Sequence, residues 1–293
     1  MFNLILLKTF VILAKTQSFR ATAQANSITQ SAVSQQILSL EAKLRCKLVD
    51  RSKKQAVLTR QGQIFMTYAE NILNQYDEAI SQLQEQNEMM DGIIKVATIY
   101  SIGFYRLQPI IRRFLRKHPQ VQIHLEYYHN NVIYEKVRTN IVDFGFVAYP
   151  READKVRSQY FVDDQLVLAQ CTQRPVFKKK MVDMDDLNGC RYISLSRTTP
   201  TGKEITAALK KAGVNLLVEF EFENVETLKS AILVGMGCAF VPVNILNNEL
   251  QRKELEIVNI RGFGITRPLG ILFPHGKVLT KPKKKFFDTF AGT

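Results

Sequence analysis

Four uncharged polar residues, Gln30, Ser31, Ser34 and Gln35, stand in the first turns of a helix predicted to begin after Thr29, and Ser31, Ser34, Gln35 and Leu38 fall on one arc of it. Val33, Ile37, Leu40 and Leu44 step by 4, 3 and 4 and fall on a separate, apolar arc of the same helix. Glutamine can form two hydrogen bonds with the edge of adenine, and serine can bond to bases or phosphates. A helix face that is merely soluble usually carries Glu and Lys, which are better helix formers than Ser. The Ser/Gln face therefore points to base reading in a DNA groove, against the plain alternative of ordinary surface. Phosphate grip would come from cations close by, and Arg51, Lys53 and Lys54 in "DRSKKQ" supply them.

The elements that must hold this face in place are legible upstream and downstream. "MFNLILLKTFVILA" is apolar, and "ATAQA" after it offers a cleavage-like pattern. A secretory signal wants positive charge ahead of the apolar run, and none precedes Leu4, while Lys8 sits inside the run. Leu4, Leu7, Val11 and Ala14 instead give the face of a first amphipathic helix. Ser18 is suited to cap a short second helix, with Phe19 and Ala23 facing inward, Thr22 less securely so, and Asn26 at its end. Two helices joined by a tight turn form a helix-turn-helix, whose second helix reads the major groove with its N-terminal turns. "KLVDR", a basic turn and "AVLT" read as a small two-stranded wing.

Charge supports this division. The chain of 293 residues carries a net +13, and residues 1–60 hold ten Lys/Arg against two acids. Residues 61–92 hold no Lys or Arg and six acids. A small basic unit suggests a polyanion partner, and a solvated basic face is the alternative. Nothing reaches the length and apolarity of a membrane span.

Residues 18–62, "SFRATAQANSITQSAVSQQILSLEAKLRCKLVDRSKKQAVLTRQG", resemble the N-terminal domain of LysR-type transcriptional regulators. The match is ordered and dense: Ser18, Phe19, Ala23, Ala25, Thr29, Gln30, Ala32, Val33, Ser34, Gln36, Ile37, Leu40, Glu41, Leu44, Leu48, Arg51, Leu58, Thr59 and Gly62. Thr22, Asn26, Arg45 and Val49 depart from the family's usual Ala, Leu, Gly and Phe, at positions of packing rather than reading.

Phe65, Ala69, Ile72, Tyr76, Ala79 and Leu83 step by 4, 3, 4, 3 and 4, an a/d seam over about three heptads without a Pro. A long helix paired with a second copy fits this pattern, and a helix lying on its own domain is the alternative. The resemblance implies the same pairing, a dimerising linker helix at 61–92 that sets two reading helices on two half-sites. Gly92 in "DGIIKVAT" is the expected hinge.

Beyond it, "IIKVATIY", "VQIHLEYY" and "VDFGFVAY" read as strands alternating with helices, as do "QLVLAQC", "CRYISL", "LLVEFEF" and "CAFVP". That order predicts an α/β domain with a parallel sheet. "FLRKHPQVQIHL", "VDFGFVAYP" and "VETLKSAILVGMGCAFVP" resemble the family's effector-binding domain, over about residues 93–288, which is similar to two-lobed periplasmic binding proteins. Ligands in such folds lie at loops that follow strands and open helices. "TIYSIGF" then offers Thr98, Tyr100, Ser101 and Ile102; "SLSRTTPTG" offers Ser196, Thr198 and Thr199; "ENVETL" offers Asn224, Val225 and Thr227. Hydroxyls and helix-start N–H groups suit a small anion such as a carboxylate, and simple helix capping is the alternative for each. The late basic run Lys281, Lys283, Lys284 and Lys285 reads as the solvated side of a last helix, with Phe286, Phe287 and Phe290 turned inward.

An enzyme fits poorly. No G-x-S-x-G, Walker loop or G-x-G-x-x-G occurs, and the four His stand in no triad context. The four Cys form no C-x-x-C and no zinc pattern, so no metal or cofactor is expected and reduced thiols in a cytoplasm are, with a redox switch, which the spacing does not support, as the alternative. A pure binding protein would leave the first sixty residues idle. The reading is an α/β protein with a winged helix-turn-helix (1–60), a linker helix (61–92) and a two-lobed effector-binding domain (93–293). Expected partners are double-stranded DNA, a small-molecule effector and a second copy through the linker. The resemblance adds a homotetramer and RNA polymerase; no membrane is expected.

Overall fold

The computed structural model describes residues 3–50, 56–83, 91–276 and 279–291. They divide into two units, Met1–Glu88 with Thr139–Ile141, and Met89–Arg138 with Val142–Thr293.

The first unit begins with α1 (Leu4–Thr16), α2 (Phe19–Ala25) and α3 (Gln30–Leu44). Asn3 caps α1, Ser18 caps α2 through the Ala21 N–H, and Thr29 caps α3 through the Ala32 N–H at 3.2 Å. Each oxygen satisfies one of the N–H groups that a helix start leaves without a partner. Val33, Ile37 and Leu40 are fully buried, while Leu44 is partly so. On α1 the buried stripe is wider than expected: Leu6, Phe10 and Leu13 are buried beside Leu7 and Val11, whereas Leu4 and Ala14 are only partly so. Nine of the thirteen residues of α1 are apolar, so sequence spacing alone could not single out its inner face. Thr22 is fully buried, because its hydroxyl donates to the Ser18 carbonyl at 2.8 Å and also meets Thr16 at 2.9 Å.

The wing is formed by β1 (Val49–Asp50) and β2 (Val57–Leu58), paired antiparallel. Buried Glu41 of α3 anchors its start by accepting from the Leu48 and Val49 N–H groups at 2.8 and 3.1 Å. Helix α4 (Arg60–Leu83) follows, and a Cβ at Gly62 would collide with the Leu48 carbonyl, which only glycine avoids. The expected seam splits along α4. Ala69 is buried, and Phe65, Met66 and Leu73 join the same core, whereas Ile72 and Tyr76 are exposed. Ile64, Tyr68 and Ile80 are exposed too.

The second unit has two lobes. In the first, β3 (Gly92–Thr98), β4 (Val121–Tyr127) and β5 (Phe144–Ala148) are parallel. A short helix α5 (Tyr100–Ile102) leads through one π-helical turn (Gly103–Leu107) into α6 (Gln108–Lys117), and α7 (Asn130–Arg138) follows β4. Gly92 opens β3 with a φ of 130°, a backbone conformation that favours glycine.

The long strand β6 (Val156–Cys171) then leaves the first lobe and enters the second. There β7 (Met181–Val182), β8 (Arg191–Leu195), α8 (Pro200–Lys211), β9 (Leu217–Phe222), α9 (Val225–Leu233), β10 (Ala239–Pro242), α10 (Asn247–Gln251) and β11 (Leu255–Ile260) follow. Strand β12 (Ile265–Pro274) returns to the first lobe, and α11 (Lys281–Ala291) closes the chain. The sheet order is β4-β3-β5-β12-β6-β11-β7, with β10 also on β6.

This sheet is mixed, not parallel as expected. β12 runs antiparallel to both β5 and β6, and β6 runs antiparallel to β10 and β11. "QLVLAQC" is only the end of β6; its first half, "VRSQYFVDD", passes between lobes and carries polar residues that hid it as a strand. Phe286 and Phe290 of α11 are buried against Phe144 and Phe146, and Phe287 packs on Phe273 at 5.1 Å. Lys283 pairs with Asp143 at 3.0 Å.

Candidate functional site

On α3, Gln30, Ser31 and Gln35 are exposed and Ser34 is partly so, at the N-terminal turns and opposite the buried stripe. The face continues with exposed Leu38. Ser31 meets the capping hydroxyl of Thr29 at 2.9 Å. Thr9 of α1 donates to Gln36 at 2.6 Å and so ties α3 to α1. Arg51, Lys53 and Lys54, expected to grip phosphate, lie outside the described residues.

The second unit contains a cavity of about 750 Å³ between its lobes. Tyr100 and Ser101 line it from the first lobe, Thr198, Thr199, Asn224 and Val225 from the second. Four expected residues do not line it. Thr98, the last residue of β3, and Ile102, at the end of α5, are fully buried. Ser196 turns its hydroxyl to Thr198 at 3.0 Å, and Thr227 returns its own to Asn224. Capping also occupies two residues that do line the cavity. Thr199 accepts from the Gly202 N–H at 3.0 Å, and Asn224 accepts from the Glu226 and Thr227 N–H groups. A Cβ on Gly202 would strike the Ser196 carbonyl, so glycine lets α8 start hard against the end of β8.

The residues that sequence reasoning missed supply most of the polar chemistry. Arg267, on β12, is 1% exposed and still lines the cavity. It donates to Asp164 of β6 at 2.6 Å and to the Ser101 hydroxyl at 3.2 Å. Asp164 also accepts from Arg106 of the first lobe at 3.2 Å and from Asn244 of the second. Two guanidinium groups thus share one carboxylate, and of the three groups Arg267 lines the cavity. Burial lowers the pKa of Arg267 from its ordinary value, and the carboxylate of Asp164 works against that shift.

Tyr149, Arg151 and Lys203 line the cavity as well, and so do His129 and Glu223, whose Nε2 and Oε2 lie 3.8 Å apart. The Tyr149 hydroxyl and the Arg267 Nε are buried with no partner among the described residues. Burial pushes the Tyr149 phenol up to about 12. Exposed Tyr100, which lines the cavity, stacks on Tyr127 at 5.2 Å, and Tyr127 on Phe104 at 4.7 Å. No local pattern could have marked Arg267: its partner lies 103 residues away.

Residues 4–63 match the bacterial regulatory helix-turn-helix protein, lysR family, and residues 87–293 match the LysR substrate binding domain. A probable RuBisCO transcriptional regulator of Cyanidioschyzon merolae is 31% identical over 274 residues, covering 92% of this chain and 90% of that protein. CbnR, a LysR family transcriptional regulator, superposes with a TM-score of 0.76 at 18% identity, covering 99% of this chain and 98% of its own. The Synechocystis PCC6803 CcmR regulatory domain, solved in complex with 2-PG, gives a TM-score of 0.62 at 24% identity over 68% of this chain and 96% of its own.

Proposed function

The chain belongs to the LysR family of DNA-binding transcriptional regulators, and from that premise we propose that its interlobe cavity takes a small anionic effector that modulates action on DNA. One observation carries the choice of an anion: Arg267, which lines the cavity, shares the single carboxylate of Asp164 with Arg106, so that carboxylate is divided between two cations. Arg151 and Lys203 add positive charge around it, against Glu223. A carboxylate or phosphate ester would accept from the unpartnered donors of Arg267 and Tyr149.

Base reading falls to Gln30, Ser31, Ser34 and Gln35, and phosphate grip to Arg51, Lys53 and Lys54. The exposed apolar residues of α4 pair with a second copy, which sets two α3 helices on the half-sites of a partly palindromic operator. A tetramer of two such dimers bends DNA by an amount the effector changes, and RNA polymerase reads the difference. The protein works in the cytoplasm, and no helix among the described residues is long and apolar enough to cross a membrane.

The lobes are joined by β6 and β12, and Ser101, Arg267 and Thr199 line one cavity from both sides. An effector that touches all three favours one lobe angle over another. That preference is the coupling free energy regulation requires.

The test is selection of genomic DNA fragments by the full chain across a salt series, with Gln30→Ala and Ser34→Ala beside it. The promoter of the RuBisCO genes is the first fragment to include, given the relative named for it. Wild type selects discrete palindromic fragments, and the variants keep only salt-dependent background binding. Equal selection by the variants would refute the base-reading assignment. A panel of small carboxylates and phosphate esters, screened by isothermal titration against wild type and Arg151→Ala, tests the anion: heat from neutral analogues alone would refute it.

A further inference from the structure

Two cysteines far apart in the sequence meet in the second lobe. Cys190 stands just before β8 and Cys238 just before β10, and their sulfur atoms are 3.9 Å apart. The neighbouring backbone fixes this approach: the Cys238 N–H donates to the Arg191 carbonyl at 3.0 Å, and the Ile193 N–H donates to the Cys238 carbonyl at 3.0 Å. The two thiols differ in surroundings. Cys238 is fully buried, whereas Cys190 is half-buried and lines a cavity of about 540 Å³ with Lys178, Lys179, Asp186 and Arg191. Among the described residues no other pair of thiols is in contact.

We propose that Cys190 and Cys238 form a reversible intrachain disulfide, with Cys190 as the thiol that meets the oxidant. A disulfide needs its sulfurs about 2.0 Å apart, so they must close by roughly 2 Å. Each cysteine follows a glycine, Gly189 and Gly237, and Gly189 has open space around it, so its backbone can adjust without displacing a side chain. Three basic side chains around the Cys190 cavity, against one carboxylate, favour the thiolate. The hydrogen bond from Cys238 acts the same way and lowers the Cys190 pKa, while that bond and burial raise Cys238.

The chemistry balances with a hydroperoxide as oxidant. The Cys190 thiolate attacks one peroxide oxygen, the O–O bond breaks, and hydroxide leaves to take up a proton as water. Cys190 is now a sulfenic acid. The Cys238 sulfur attacks it, the S–O bond breaks, and the departing hydroxide takes the Cys238 proton as a second water. Two thiols and hydrogen peroxide become one disulfide and two waters, and a dithiol reductant reverses the bond. The new link ties the turn before β8 to the turn before β10, at the end of β8 away from Leu195 and the effector cavity. It does not depend on the effector reading.

The experiment treats the purified full chain with hydrogen peroxide, blocks remaining thiols with iodoacetamide, and maps peptides without reduction. A Cys190–Cys238 cross-linked peptide is expected, with Cys46 and Cys171 alkylated. In Cys238→Ser, Cys190 should accumulate as a sulfenic acid trapped by dimedone; in Cys190→Ser, Cys238 should stay reduced. Before oxidation, Cys190 should react with iodoacetamide at least about tenfold faster than Cys238. Circular dichroism of both variants guards against misfolding, and the labelling ratio in the wild type needs no variant. Retention of both thiols, disulfides only between chains, or faster oxidation of Cys171 would each overturn the proposal.

Discussion

Arg267 and Asp164 face each other across β12 and β6 at 2.6 Å, both almost wholly buried, with Arg106 as a second cation on the same carboxylate. The arrangement is asymmetric, and so is its expected response to mutation. Asp164→Ala leaves Arg106 and Arg267 facing each other without a counter-charge, which should cost about 3–5 kcal/mol. Arg267→Met leaves Asp164 still held by Arg106 and Asn244, and should cost clearly less. Urea unfolding of the full chain, followed through the transition of the effector-binding unit, measures both. Equal losses would show that Arg106 does not share the charge.

Tyr149 allows a cleaner separation of stability from binding. Its hydroxyl is buried with no partner among the described residues, so Tyr149→Phe removes a polar group that folding gains nothing from. The variant should be as stable as wild type or slightly more so, yet bind an anionic effector about tenfold more weakly, the worth of one hydrogen bond. Calorimetry beside thermal unfolding decides it; a loss of stability without loss of affinity would make Tyr149 a packing residue.

The same phenol sets a dependence on pH. Burial raises its folded pKa to about 12 from an ordinary 10.0. An unfolded chain therefore releases this proton first, so the phenol leaves stability unchanged below pH 10 and lowers it as pH rises from 10 towards 12. Urea midpoints measured across that window should fall more steeply in wild type than in Tyr149→Phe. Parallel curves would place the phenol in ordinary solvent contact.

What could be read in the sequence, and what could not, follows from the range of the forces involved. Thr29, Val33, Ile37 and Leu40 were legible because capping and helical spacing act within a few residues. Tyr100, Ser101, Thr198, Thr199, Asn224 and Val225 were legible as cavity residues because loops after strands and helix starts gather at one end of an α/β layer. Thr98 and Ile102 flank the same strand-to-helix junction, one ending β3 and the other ending α5, and their side chains are buried instead. Arg267 and the Cys190–Cys238 pair were invisible, because only tertiary pairing along β6, β8, β10 and β12 brings their partners near.

On α4, Ile72 and Tyr76 are exposed where Ala69 is buried, so part of the apolar pattern joins the core of its own unit and part is left on the surface, where the proposed second copy would cover it. A two-fold interface counts every substitution twice. Ile72→Glu should weaken self-association by about 3 kcal/mol or more per dimer, from lost apolar burial alone. Sedimentation velocity should show monomers at concentrations where wild type is dimeric, with the helix-turn-helix unit still folded by circular dichroism. An unchanged dimer would move the interface away from this face.

The start of α3 offers the sharpest contrast between fold and reading. Thr29 holds the Ala32 N–H at 3.2 Å, whereas Gln30 and Gln35 project outward from the same turns. Thr29→Ala removes a helix cap and should destabilise the first unit by about 1 kcal/mol. Gln30→Ala and Gln35→Ala should leave its stability within about 0.5 kcal/mol, since they are surface changes. Affinity for a selected operator should respond in the opposite order. Loss of a bidentate base contact costs about 1–3 kcal/mol of discrimination and leaves the salt slope of binding unchanged, because no phosphate contact is removed. Fluorescence anisotropy on operator and scrambled duplexes, at several salt concentrations, separates the two terms. If the glutamine variants instead lost affinity for both duplexes equally, with a shallower salt slope, this face of α3 would be gripping the backbone rather than reading the bases.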